Sequence, residues 1–174
     1  MTAINESNVE FKFRPVTKLF EEQVALHPDK LAVVTSKESF SYSKLNERAN
    51  RIANALIEKG VQAETIVGVI LERCCDFYAV RQGILKAGGA FTVAAPDYPD
   101  DRIQYIFKDA GIPFVITTKE IAKERQDLFA KLDCKVMVGG AVLTPEYAEK
   151  IGADWYAKDA KQSADIAKKF FGES

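Results

Sequence analysis

The sequence holds one histidine, three cysteines and no pair of cysteines in CxxC spacing. Structural and catalytic metal sites are built from such residues in close sets, so no metal centre is expected. Cys74 and Cys75 are adjacent, too close for an ordinary bridge, and the count is odd, which excludes a disulfide framework. Reduced thiols of a cytoplasmic protein account for all three. No apolar run reaches transmembrane length. The opening residues MTAINESNVE are polar and acidic, unlike a signal or transit peptide. Excess charge is missing as well. The 24 basic and 25 acidic side chains leave a net charge of −1, so no global field favours nucleic acid or an anionic membrane.

What remains is ordinary globular material: 174 residues, 47% apolar and 28% charged, enough for one domain (1–174) with its own core. Residues 1–14 read as a loose arm without periodicity. A helix capped by Thr17 follows, with Leu19, Phe20, Val24 and Leu26 apolar, and it stops at His27 before Pro28. LAVVTSKESFSYSKL predicts a hairpin, Leu31 to Thr35 returning over Phe40 to Tyr42. Ser43 then precedes a helix that Gly60 ends. Beyond residue 60, apolar runs alternate with helical patterns: TIVGVIL, AFTVAAP, PFVITT and KVMV as buried strands, and helices near 76–87, from Pro99 to Gly111, and across KEIAKERQDLFAKL. A short helix at TPEYAEKIG, a strand in ADWYAKD and a closing helix complete the reading. The fold class is α/β, a doubly wound and mostly parallel flavodoxin-like sandwich. Strand order 2-1-3-4-5 is expected, with the hairpin added at an edge.

Few residues invite chemistry. His27 has no visible partner and reads as the last residue of its helix. Cys74–Cys75 lacks a nearby base, so neither thiol reads as a nucleophile. Asp97, Asp100 and Asp101 resemble a metal cluster, but carboxylates at a helix start are expected from the helix dipole alone. No catalytic and no metal residue is assigned.

Two stretches carry a family likeness. FSYSKLNERANRIANAL (Phe40 to Leu56) and LKAGGAFTVAAPDYPDDRIQYI (Leu85 to Ile106) resemble the first two conserved motifs of nonribosomal peptide synthetase adenylation domains. The likeness covers about residues 11 to 120. It departs at Thr92-Val93-Ala94-Ala95, where the family usually has a proline and an acidic residue. The resemblance implies activation of an amino acid with ATP and Mg²⁺, then transfer to a carrier-bound thiol. That family grips phosphate with a Ser/Thr/Gly-rich loop followed by Pro-Lys-Gly, in which small residues let backbone N–H groups approach the anion. These 174 residues hold no such loop. Gly88-Gly89-Ala90 lacks the hydroxyls and the lysine.

From about residue 135 to 172, KVMVGGAVLTPEYAEKIGADWYAKDAKQSADIAKKFFG resembles the end of the cobalamin-binding domain of corrinoid proteins and methionine synthase. That resemblance implies contacts of Gly139 and Gly140 with the cofactor's nucleotide tail, with Tyr156, Ala157 and Asp159 nearby. The Asp-x-His-x-x-Gly motif whose His ligates cobalt is absent, since His27 sits in LHPDKL. Gly139-Gly140 also reads as a plain strand-to-helix turn.

Taken together, the two resemblances point to an engineered fusion of two flavodoxin-like fragments that is structural and catalytically silent. The alternatives are a residual binding module for a corrinoid tail or nucleotide, and a remnant of an amino-acid-adenylating enzyme without activity on its own. No cofactor, no nucleic acid, no membrane and no obligate partner is expected. An incompletely covered edge strand leaves a homodimer or domain swap open.

Overall fold

The structure is a computed structural model that describes residues 14–139. The helices and strand expected after residue 140 lie outside the described residues. The order of elements is α1 (Val16–Leu26), β1 (Leu31–Val34), β2 (Ser39–Ser41), α2 (Tyr42–Glu58), β3 (Ile66–Ile70) and α3 (Cys75–Lys86). It continues through β4 (Ala90–Val93), α4 (Asp100–Asp109), β5 (Phe114–Thr118), α5 (Lys119–Glu124), α6 (Gln126–Lys131) and β6 (Lys135–Gly139). No described helix is long and apolar enough to cross a membrane.

Four strands form one parallel sheet in the order β4-β3-β5-β6. Numbered from β3, that order is 2-1-3-4, the expected winding over the described strands. The chain moves outward from β3 to β4, then crosses back past β3 to β5. Keeping one crossover hand while reversing direction requires α3 and α4 to lie on opposite faces, and the packing agrees. Val67, Val69, Phe114 and Ile116 point into a core with Ala53, Leu56, Val80 and Ile84 from α2 and α3. Ile70, Val115, Val136 and Val138 point the other way, onto Ile103, Phe107, Ile121 and Leu128 from α4, α5 and α6. Alternation along each strand therefore supplies both cores. The outer strand β4 is less covered, and Val93 is 39% exposed.

The hairpin departs from the expected edge position. β1 and β2 form a separate two-stranded antiparallel sheet with an irregular register between Leu31 and Val33. Its apolar residues explain why. Phe40 is 1% exposed and packs with Leu45 of α2 and Cys75 and Ala79 of α3, and Phe20 of α1 and Val33 join that cluster. A third small core thus lies beyond α2 and α3, and the hairpin belongs to it rather than to the sheet.

Helix ends refine the sequence reading by one or two residues. α1 is entered at Pro15 with no side-chain cap, so Thr17 is inside the helix. Ser41, not Ser43, caps α2, accepting from the Lys44 N–H at 3.3 Å. Gly60, Gly88 and Gly111 follow α2, α3 and α4 with φ of 92°, 84° and 57°, a region open to glycine at little cost.

Two ion pairs tie the helical layers together. Arg48 of α2 donates to both carboxylate oxygens of Asp76 on α3, at 2.6 and 2.8 Å. Lys86 of α3, its side chain only 9% exposed, pairs with Glu21 of α1. The Lys86 hydrogen bond holds the Glu21 carboxyl below its ordinary value of 4.5, with Lys18 adding to the effect. A carboxyl lowered on folding stabilises the fold above its unfolded value, and the benefit is lost as pH falls through the folded one. Glu21→Gln is therefore expected to lower stability at pH 7 by about 1 kcal/mol, discounted because Glu21 is 39% exposed. Urea titrations at pH 7 and at pH 3 should show that deficit shrinking at the lower pH. An equal deficit at both would count against the charge pairing.

Candidate functional site

In doubly wound sheets ligands bind beyond the carboxyl ends of the strands, where the winding reverses. Here that edge is formed by the ends of β3, β4, β5 and β6, with the reversal between β3 and β5. The segment after β4 is its most organised part. Ala94 is fully buried and continues the pairing, its N–H donating to the Val69 carbonyl oxygen at 3.0 Å. The chain then turns, with Tyr98 N–H donating to Ala95 at 3.0 Å, and Pro99 leads into α4 in an extended conformation.

Arg125 holds this turn. Its guanidinium donates to the Pro96 carbonyl oxygen at 2.6 Å and to that of Tyr98 at 2.8 Å, and it pairs with Asp100. The same residue interrupts the helix expected across KEIAKERQDLFAKL. Arg125 stands between α5 and α6 with φ −122° and ψ 40°, outside helical geometry. Three acceptors on the neighbouring turn outweigh one more helical residue. The sequence shows Arg125 only as one charge in a polar helix, so nothing short of the tertiary fold could have singled it out. Thr117, at the carboxyl end of β5, is also unforeseen: it is fully buried and its hydroxyl has no hydrogen-bond partner.

The acidic residues do not come together as a metal site. Asp100 is engaged by Arg125, and among the described residues no group of three His, Cys, Asp or Glu could hold a metal ion. The sequence also holds no Ser/Thr/Gly-rich loop followed by Pro-Lys-Gly.

His27 ends α1, as expected, and is exposed. Cys75 is fully buried at the start of α3, where its thiol donates to the Glu38 carbonyl oxygen at 3.6 Å and its N–H donates to the Glu38 carboxylate at 3.2 Å. Burial pushes the Cys75 thiol up, and Glu38 pushes the same way. A thiol that resists ionisation is a poor nucleophile. Iodoacetamide at pH 8 is expected to label Cys74, which is partly exposed, well before Cys75. Mass spectrometry of the peptide containing both would show one adduct on the folded chain and two only after denaturation. Two adducts on the folded chain would refute the assignment.

Gly139 is the last residue of β6 and pairs with Thr118 at the same carboxyl edge. Gly140, Tyr156, Ala157 and Asp159 lie outside the described residues.

The profile of the family described as AMP-binding enzyme matches residues 20–168. The chain belongs to that family. Zwittermicin A synthase ZmaJ of Bacillus cereus is 43% identical over 112 residues, 64% of this chain and 21% of the synthase. Tyrocidine synthase 1 of Brevibacillus parabrevis is 41% identical over 115 residues, 66% of this chain and 11% of that protein. Among solved structures, the nonribosomal peptide synthetase FmoA3 in its α-methyl-L-serine-AMP-bound form superposes with a TM-score of 0.66 at 32% identity, over 72% of this chain and 14% of that one. The N-terminal subdomain of Klebsiella oxytoca NpsA has the same fold, with a TM-score of 0.60 at 19% identity over 72% of this chain and 32% of that one. The chain thus matches 21% and 11% of the lengths of the curated synthases named here.

These matches correct the fusion reading. The AMP-binding match runs past residue 135 to residue 168, through the stretch that resembled a corrinoid protein. Family membership over residues 20–168 replaces the reading of an engineered join of two parents, and the adenylation-domain alternative fits these matches better.

Proposed function

We propose that these residues are scaffold from the N-terminal part of an amino-acid-adenylating domain of nonribosomal peptide synthetase type, and that alone they form no aminoacyl adenylate. The observation that carries this reading is the stretch Leu85 to Phe107. Its motif resembles the family's second conserved motif, and in the fold it is helix end, edge strand, clamped turn and helix start, with Asp100 taken up in the Arg125 clamp. In the complete enzyme the amino-acid carboxylate attacks the α-phosphorus of ATP and pyrophosphate leaves. The groups that would grip the triphosphate are not among these 174 residues. The contribution of this part is to hold a sheet edge in place for residues supplied elsewhere.

ATP–pyrophosphate exchange tests both halves. The 174-residue chain should give background exchange with every proteinogenic amino acid, and exchange above background would overturn the silent reading. Residues 20–120 transplanted into an active synthetase of the same family should preserve its exchange. Loss of exchange in a well-folded transplant would overturn the scaffold reading.

A further inference from the structure

Among the described helices α1 alone has no buried residue. Its half-buried positions, Thr17, Phe20, Glu21 and Val24, recur at helical spacing and form the face turned to the body. Only Phe20 and Val24 among them are apolar, and Phe20 meets Tyr42 of α2 with ring centroids 6.1 Å apart. Neither end of α1 has a side-chain cap, and no acid in the first turn or base in the last complements the helix dipole. The strongest remaining hold is the pair of Glu21 with Lys86 of α3, whose charge is nearly enclosed.

The seam that α1 covers is polar. Gln82 lies one turn before Lys86 on α3, and Asn46 lies one turn after Tyr42 on α2, so both share the faces that α1 touches. The amide oxygens of Gln82 and Asn46 are buried without a hydrogen-bond partner among the described residues. Such acceptors gain bonds when water reaches them, which offsets part of the contact that α1 would lose on leaving. The far side of α1 is bounded sharply. Ser43 N–H donates to the Pro28 carbonyl oxygen at 2.9 Å, and Tyr42 N–H to that of Lys30 at 3.0 Å. These donors belong to the first turn of α2, so residues 28–30 stay with α2. His27, with φ −140° and ψ 56°, is the first residue outside the helix and the only one between α1 and that anchor.

We propose that α1 is a flap that opens as a unit about His27, latched shut by the Glu21–Lys86 pair and uncovering Lys86, Gln82 and Asn46 when it leaves. Opening moves the start of α1 relative to the sheet while α2, α3 and both sheet cores keep their packing. The proposal is independent of whether the domain adenylates amino acids.

Native-state hydrogen exchange on the 174-residue chain tests it. The amides from Phe20 to Leu26 should exchange as one group, about a hundredfold or more faster than those of β3 and β5. Low urea should leave that group unchanged while it quickens β3 and β5, because a small opening exposes little surface. Tyr42 and Ser43 should stay with the slow set. If the slowest α1 amides match β3 and β5 in rate and urea slope, α1 leaves only with the whole fold and the flap is refuted. If Tyr42 and Ser43 join the fast group, the pivot at His27 is refuted. Glu21→Gln should speed the α1 group about fivefold, since it leaves the nearly enclosed Lys86 charge without its carboxylate. Lys18→Gln, removing an exposed partner of Glu21, should change it by less than about twofold. No change in Glu21→Gln, or equal acceleration in Lys18→Gln, would overturn the latch.

Discussion

Replacing Gly83 with leucine is expected to cost about 3 kcal/mol or more, the largest effect of any single exchange considered for this fold. Gly83 is buried on α3 where that helix crosses α2. A Cβ built there would stand 2.7 Å from Ile52 Cγ2, 2.8 Å from Ile52 Cβ and 2.9 Å from the Ala49 carbonyl oxygen. The last of these is backbone, so rotation of the Ile52 side chain cannot relieve the contact. The two helices must part, and the core that Leu56 and Ile84 share with β3 and β5 opens with them. Gly83→Ala separates two opposing terms. Alanine favours the helix by about 1 kcal/mol, while overpacking costs about 1–3 kcal/mol. A net loss smaller than that of leucine should result. Urea midpoints of the three proteins would order glycine first, alanine second and leucine last. Equal midpoints would show that α2 and α3 separate without cost.

Arg125→Ala is expected to remove about 2–3 kcal/mol, because a guanidinium only 17% exposed donates to two carbonyl oxygens and an aspartate at once. Lysine should recover only part of this, since one ammonium cannot match the forked geometry. Asp100→Ala should cost less, about 0.5–1 kcal/mol. Asp100 is 42% exposed, and the two backbone acceptors remain for Arg125. The distinguishing readout is local. Amide exchange over residues 96–101 should quicken in Arg125→Ala while the interface of α2 and α3 keeps its protection. Uniform acceleration across both would mean that Arg125 supports the whole core rather than the turn. If the turn is the support that the proposed function requires, a full synthetase carrying the same exchange should lose adenylation rate as well as stability.

The acidic turn shows how a correct local reading can miss the structural role. Asp100 and Asp101 stand in the first turn of α4, where the helix dipole favours them, and that much was legible from Pro99-Asp100-Asp101. The bond to Arg125 was not, because the two residues are 25 positions apart and nothing in either neighbourhood marks the pairing. The single helix expected across residues 119–132 failed for the same reason. Its local propensities are helical, and a contact to another element interrupts it. Gly83 is the third case: inside a helical pattern it reads as a weak residue, and only the crossing of α2 shows why no side chain fits.

What the sequence alone determined is the succession of elements and the winding of the sheet. Period and apolar run length are local properties, and crossover hand leaves few ways to connect parallel strands. It also carried the adenylation motifs, which sit in those elements as read. It misled where a second resemblance, after residue 135, suggested a second parent. Only the tertiary structure decided that the hairpin packs on α2 and α3 instead of the sheet edge, that Arg125 clamps the turn after β4, and that α1 is left half covered. Each of these depends on which side chains meet across long separations in the chain, and local pattern does not encode such meetings.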